Sequence, residues 1–518
     1  MKIKKKFIIG AVFFFTAVIF TLAVYPGWRR DSSPASPKAS LTYLVQYDKE
    51  LYGVCNGDLN QTDFFRELEQ RTNIHINFCT SSKDLQAFYQ FGKSSRTAPD
   101  LLDRNQIYQF YGASPEKCLT EGLTLDLTDL VKEYAPNYYR LIQQPEYHDI
   151  AYTSSGRIAA IYSLKTEGQK TFAGLQLRKD WLDELNLEVP VTYDDWETVL
   201  TAFKEKKNIA APLYLPATGF MQNDALNAGF GVSSGFFQKD GAVFFGPAEQ
   251  GWQSYLKLLN RWYKKGLIDP NFVTGQPVYT PLEVIQAEAY GAWHGLYTMP
   301  SALSFDTPEA AVVAAAPPKQ NSSDTLHLQH PVSYSDNCIA LSSECENPAL
   351  ALQWIDYLFS EEGSLFASYG TKGKTYTLDK DHEPQFTDLI LNNPEGLSFT
   401  QALKFYTFTP GFASAYIDWK REQQSLPAND IAMCEVWSEG DSAYLLPENL
   451  PISLEQRERI SEISNALNNV VYQYTANFIS GAIPFSKYED YLKALDECGL
   501  EEAVSICEEG LKNSAAEH

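Results

Sequence analysis

Apolar and polar positions along this chain follow two periods, and segments of each kind are interleaved. Residues 177–203 (LRKDWLDELNLEVPVTYDDWETVLTAF) show the helical period. Leu177, Trp181, Leu182 and Leu185 recur at helical spacing, Asn186 marks the end, and Pro190 forbids continuation. Thr192 and Asp195 form a capping box ahead of Trp196, Val199, Leu200 and Phe203, so a second helix follows a proline-fixed turn. The period of two appears at the start of the chain. Residues 41–46 read as a strand, 62–71 as a helix, and Ile74, Ile76 and Phe78 alternate as a second strand. Strand–helix–strand of this kind opens a parallel α/β sheet.

Further along, residues 213–220 read as a strand running into a loop, and Asp240-Gly241 as a turn between apolar runs. Residues 252–262 read as a helix closed by Lys264-Lys265-Gly266. Short strands are predicted at 289–293, 312–316 and 339–341. Asn347 caps a helix with Pro348 at its first position, and Leu350, Trp354, Tyr357 and Leu358 form its buried stripe. A second capping box, Ser453 to Gln456, opens a long helix to Ser480, with Ile460, Ile463, Leu467, Val470, Val471 and Tyr474 inward and Gly481 as its stop.

The N-terminus differs. Lys2, Lys4, Lys5 and Lys6 precede an uncharged run, 7–25, just long enough to cross a ~30 Å hydrocarbon core as a helix. The lysines would stay cytoplasmic and the bulk of the chain outside. An uncleaved anchor fits this length better than a signal peptide, for which Thr21-Leu22-Ala23 is a poor cleavage site. Residues 1–28 are therefore read as this segment and 29–40, rich in Ser and Pro, as a tether.

At 518 residues the chain needs more than one folding unit, and its 44% hydrophobic content argues for packed cores. A net charge of −23 with no basic patch beyond the N-terminus excludes nucleic acid as a partner. The eight cysteines contain no C-x-x-C pair; Cys338 with Cys345 and Cys498 with Cys507 are spaced for local disulfides, and buried free thiols are the alternative. Nucleophile-elbow, P-loop, zinc-protease and Rossmann motifs are absent. His327 and His330 would share a face only on a helix; Pro331 follows and no third ligand is near, so a loop and no metal are expected. Asp379, Asp381 and Glu383 lack the glycine and spacing of a calcium loop. No cofactor is implied.

Several motifs carry a resemblance. GLIDPNF at 266–272 is similar almost letter for letter to "GLIdPdF" of family 1 extracellular solute-binding proteins of bacterial ABC importers, in particular their long Gram-positive lipoprotein-type members. SEEG at 360–363 with Tyr369-Gly370, Gly373 and Tyr376, the "PD" of Pro99-Asp100, the "yaPN" ending at Asn137, and residues 478–513 resemble that family in order and spacing. Gly156-Arg157-Ile158 occupies its "GkiYgiP" strand, but Ala159 and Ala160 depart from the pattern and Ser163 stands where Pro is usual. The resemblance covers about residues 41 to 513 and implies an α/β, two-lobed periplasmic-binding-protein-like fold of type II, with crossing hinge segments. Lobe one would take 41–160 and 318–390, and lobe two 161–317 and 391–513. It implies a monomer outside the cytoplasm that captures a carbohydrate, an oligosaccharide, in the interlobe cleft, closes on it, and delivers it to ABC permease transmembrane subunits without making or breaking a bond. The family's lipid anchor needs a cysteine near the N-terminus; none precedes Cys55, so anchoring to the outer face of the membrane falls to the helix at 7–25, or the chain is released. A membrane-tethered ligand sensor and a glycoside hydrolase are the alternatives.

Ligand contacts are expected at strand ends facing the cleft, where open parallel sheets bind. Tyr47 and Asp48 follow the first strand, Asp103 and Asn105 the "PD" strand, and Phe220 the strand at 213. Asp336 and Asn337 precede the strand at 339, and Trp293 ends a small-residue strand. Tyr406 and Trp437 stand in loop-like segments. Aromatic faces suit the C–H faces of sugar rings. Trp181, Trp196, Trp262 and Trp354 lie on helix stripes and read as core.

Overall fold

The computed structural model describes residues 39–79, 99–111, 114–153, 155–166, 171–215, 221, 224–274, 289–300, 303, 310–330, 334–447 and 450–517. The run at 7–25, the tether up to Lys38 and Phe220 lie outside them. Among the described residues no helix is long and apolar enough to cross a membrane.

The opening strand–helix–strand forms as the alternation predicts. Strand β1 (Ala39–Leu44) pairs in parallel with β2 (Ile74–Cys79) and with β3 (Leu101–Asp103), and β4 (Ile161–Lys165) lies in the same sheet. Between β1 and β2, Thr62 caps the helix Asp63–Thr72, which ends on Asn73 at φ 56°. The chain then builds a second sheet from β5 (Ala173–Arg178), β6 (Leu213–Tyr214), β9 (Ala292–Leu296) and β10 (Val312–Ala315), in the order β10-β5-β9-β6. The hairpin β7 (Phe236–Lys239) and β8 (Ala242–Phe245) turns at Asp240-Gly241, both at positive φ as a two-residue turn requires.

The chain returns with β11 (Tyr334–Leu341), which inserts antiparallel between β3 and β4. A small hairpin, β12 (Tyr376–Leu378) and β13 (Pro384–Phe386), follows, and β14 (Tyr416–Ile417) closes the first sheet beside β4. The finished order is β14-β4-β11-β3-β1-β2. Successive residues feed opposite faces: Leu41, Tyr43, Leu101 and Ile339 join one core, and Leu44, Leu102, Cys338 and Ala340 another. Both faces are covered at the middle of the sheet, where Leu101-Leu102 of β3 and Cys338 to Leu341 of β11 are apolar and buried at every position, whereas β2 at the edge alternates with His75 and Asn77.

Three segments pass between the sheets: β4 to β5, β10 to β11, and the chain leaving β14 for the helix Ala428–Trp437, which packs on β5 and β10. These placements correct the expected lobe limits. The boundary at 160/161 falls just before β4, a first-sheet strand. The stretch from 391 to 417, assigned above to lobe two, instead carries the helix Phe399–Tyr406, which packs on Lys49–Val54 and Asp63–Thr72, and β14 itself. Only beyond β14 does the chain rejoin lobe two.

Residues 177–203 build lobe two with one shift. Leu177 is a β5 residue, so the first helix runs Lys179–Leu185 and stops at Asn186, φ 53°. The Thr192–Asp195 capping box forms at the head of Tyr193–Lys206, as does the Ser453–Gln456 box of the helix Leu454–Ser480. Gly266, at φ 66°, closes the helix Gln250–Lys264, and the following Leu267 and Ile268 enter the core. All eight cysteines are free thiols. His327 and His330 lie in a segment without helix or strand, the loop expected, and point to different partners: Asp441 and Asp224.

Candidate functional site

Because β4 runs into the first crossing, and β1, β3 and β14 share its direction, their C-terminal ends form the edge of lobe one from which the chain leaves for lobe two. On this edge Asp103 is fully buried. Its Oδ2 accepts from the Gln46 backbone N–H (2.8 Å), and its Oδ1 accepts from the N–H groups of Asn105 (2.7 Å) and Gln106 (3.1 Å). Burial pushes its carboxyl up to about 6 even against those three donors. Asp103 is thus a clasp joining the ends of β1 and β3, and it offers no free oxygen to a ligand. What the clasp positions is a carboxamide pair, with Asn105 Nδ2 donating to Gln46 Oε1. Beside the pair, Tyr47 is 59% exposed and its ring rests 4.8 Å from that of Tyr52.

Asp48 caps the helix Lys49–Val54 through the Leu51 N–H (2.9 Å) and pairs with Lys404 (2.8 Å). Partial burial raises its carboxyl, but the Lys404 hydrogen bond and the Leu51 N–H outweigh that and hold it below its ordinary value. Asn337 is buried; its Nδ2 donates to Ala413 O (2.8 Å) and to the Ser163 hydroxyl (3.1 Å), and its Oδ1 accepts from Gly411 N–H (3.0 Å). Ser163, where the resemblance led one to expect Pro, thus serves as an acceptor. Asp336 lies on β11, with its side chain outside the described residues.

The aromatics are corrected in turn. Trp293 was expected at a strand end, but β9 starts only at Ala292, so Trp293 pairs with Gln176 on β5 and Tyr214 on β6. It is fully buried, its Nε1 donates to Gln176 Oε1 (2.9 Å), and Met299 and Leu303 pack on it. Tyr406 ends a helix and is buried with Tyr369 and Phe386. Trp437 ends the helix Ala428–Trp437, and its Nε1 donates to Leu175 O (2.9 Å).

Trp437 does reach a cavity. It lies on lobe two where all three crossings meet, and Thr171, Gly174, Asp224, His330 and Glu439 line it with Trp437. Its volume, ≈ 30 Å³, admits about two waters and no sugar ring. Hydrogen bonds knot the crossings there: Thr171 N–H donates to Ser438 Oγ (3.0 Å), Gln329 Nε2 to Thr171 Oγ1 (3.0 Å), and Gln329 N–H to Asp441 O (3.0 Å). Asp224 is 1% exposed. It accepts from Asn227 Nδ2 (2.9 Å), Ser233 Oγ (2.8 Å) and Ser234 N–H (2.7 Å), and faces His330 Nε2 at 3.1 Å. Sequence reasoning missed Asp224; its only local signal is a cluster of short polar residues, Asn227, Ser233 and Ser234, between apolar runs. Among the described residues no group of three or more His, Cys, Asp or Glu is placed to hold a metal ion.

Comparison with known proteins agrees with this architecture. The fructooligosaccharide ABC transporter substrate-binding protein FusA of Streptococcus pneumoniae serotype 4 is 22% identical over 525 residues, 95% of this chain and 95% of that protein. Lipoprotein LipO of Bacillus subtilis is 20% identical over 392 residues, 72% of this chain and 74% of LipO. Among solved structures, S. pneumoniae FusA in complex with kestose shares the fold at TM-score 0.68 and 19% identity, over 92% of this chain and 100% of that one. The alginate-binding protein AlgQ2 without calcium ion does so at TM-score 0.67 and 20% identity, over 92% and 98%. The fold is the two-lobed, type II solute-binding one. The family model described as bacterial extracellular solute-binding protein matches residues 64–364, more than half of the chain, and the chain belongs to that family.

Proposed function

We propose that this chain captures a neutral oligosaccharide between its lobes and delivers it to the transmembrane subunits of an ABC permease. The observation that carries this reading is the trio on the cleft edge of lobe one: the exposed Tyr47 ring beside the Gln46–Asn105 carboxamide pair. A sugar presents a C–H face to a ring and hydroxyls that both donate and accept, and carboxamides do both. FusA, named for fructooligosaccharides, supports the ligand class. The net charge of −23 opposes polyanionic glycans at long range, so the neutral class is favoured over uronates. Binding closes the lobes about the three crossings, because contacts to both lobes exist together only when they approach. The chain acts by binding, as a monomer, with the uncharged run at 7–25 holding it at the outer face of the membrane.

A thermal-shift panel tests this: kestose, a milk-type neutral oligosaccharide and an oligouronate, each with product analysis. At a ligand concentration 100-fold above the dissociation constant, stability should rise by about 2.7 kcal/mol, a Tm gain of several degrees. The neutral sugars should give it and remain intact. A shift with the uronate alone, or release of shorter sugars, would overturn the proposal.

A further inference from the structure

Two ion pairs join helices of different lobes. The helix Pro115–Thr120 belongs to lobe one, where its Cys118 packs with Leu44, Leu102 and Cys338 of the first sheet. The helix Leu454–Ser480 belongs to lobe two, where Ile463, Leu467 and Val471 enter the core of Trp196 and Trp262. Lys117 Nζ lies 2.7 Å from Glu458 Oε1, and Arg457 Nε lies 3.4 Å from Glu116 Oε2. The order of charge is reciprocal: acid then base on one helix meets base then acid on the other. A slip of one residue in one direction would set Glu116 against Glu458, and in the other Lys117 against Arg457, so the arrangement rewards one register and penalises its neighbours.

We infer that these four residues form an electrostatic latch that favours the lobe arrangement seen here over a more open one, and so sets the balance that ligand binding must shift. Opening about the three crossings separates the two helices, since each rides on a different lobe, and returns four charges to water. Lys117 and Glu458 are both about half exposed, with side-chain accessibilities of 41% and 49%. An exposed pair of this kind changes the ratio of the two arrangements by roughly two- to fivefold, and salt weakens it. That is small beside a folding energy but large for an equilibrium near balance.

The test is a charge swap read as a distance. In the full chain in detergent, spin labels carried on non-canonical amino acids replace exposed Lys132 of lobe one and Lys493 of lobe two. Pulsed electron–electron resonance then reports their separation without ligand. At low salt the wild type should show one dominant distance. Lys117→Glu or Glu458→Lys alone, or ~0.5 M salt, should add a longer component, raising its share two- to fivefold. The double variant Lys117→Glu/Glu458→Lys should restore the wild-type distribution, which also shows that the single variants are folded. Single variants with unchanged distances, or a double variant as open as either single, would overturn the latch.

Discussion

The indole of Trp437 packs over the Cα of Gly174, close enough that a Cβ at 174 would overlap the ring. Gly174 lies in β5 and Trp437 at the end of the helix that brings the third crossing onto the second sheet. Glycine is thus required here by approach, not by backbone angle. Gly174→Ala should destabilise by about 1–3 kcal/mol, the range for overpacking a filled site. Gly174→Ala/Trp437→Leu should recover part of that loss, since the two positions share one volume. Urea denaturation of the two single variants and the double measures the coupling.

Two buried aspartates should give opposite pH signatures. Burial raises Asp224, but the His330 ring and the Asn227 and Ser234 donors outweigh it and leave the carboxyl below its ordinary value. A depressed acid contributes stability that is complete above the unfolded value near 3.9 and lost as pH falls through the folded one. The advantage of wild type over Asp224→Asn should therefore be full at pH 7 and shrink below about pH 4. Asp103, pushed up to about 6, does the reverse. Its contribution is complete below about pH 4 and lost as pH rises through 6, so wild type should gain on Asp103→Asn by on the order of 2 kcal/mol between pH 7.5 and 4.5. Denaturation curves of the three proteins at those pH values check both signs; equal slopes would contradict the pair.

The difference between these groups and the elements around them is also what separates the legible from the hidden. Capping boxes at Thr192 and Ser453, the Asp240-Gly241 turn and the Gly266 stop depend on residues a few positions apart, and each formed where the local pattern placed it. Strand ends were located well enough to put Tyr47 just after β1 and Asp103 at the end of β3, on the edge from which the chain leaves for lobe two. Whether a polar side chain there is spent on the backbone was only partly legible: the Asn105 and Gln106 donors to Asp103 are local, but the third, Gln46, which ties β1 to β3, is 57 residues away. Asp224 and His330 are 106 apart, and no local period links them. The β9 register hid Trp293: small residues on either side suit both a strand end and a strand interior, and a shift of three residues decides between open and buried.

That burial makes Trp293 a stability residue. Trp293→Phe removes the donor to Gln176 Oε1 and leaves a buried acceptor short of its partner. A loss of about 1–3 kcal/mol is expected. Affinity for kestose, or for whichever neutral sugar the panel selects, should change less than twofold at a temperature where the variant stays folded. Calorimetric titration beside a melting curve separates the two effects, and a large affinity loss without a Tm change would return Trp293 to the site.

Tyr47 should behave in the opposite way. Its side chain is mostly in water, and among the described residues its ring meets one aromatic neighbour, Tyr52, itself buried in lobe one. Truncation removes little packed area, so Tyr47→Ala should move Tm of the free protein by no more than the ~0.5 kcal/mol usual for surface changes. In the bound state the same ring would be covered on one face by sugar and backed on the other by Tyr52. Losing a stack of this size is worth about 1–2 kcal/mol, a five- to thirtyfold weaker dissociation constant. Tyr47→Phe keeps the ring and should retain most of the affinity, whereas Gln46→Ala should lose it while keeping the ring, since it removes half of the carboxamide pair. The three variants titrated with one neutral oligosaccharide distinguish a stacking platform from a surface tyrosine. Wild-type affinity in Tyr47→Ala would show that the cleft edge at β1 does not touch the ligand, and the search for contacts would move to lobe two.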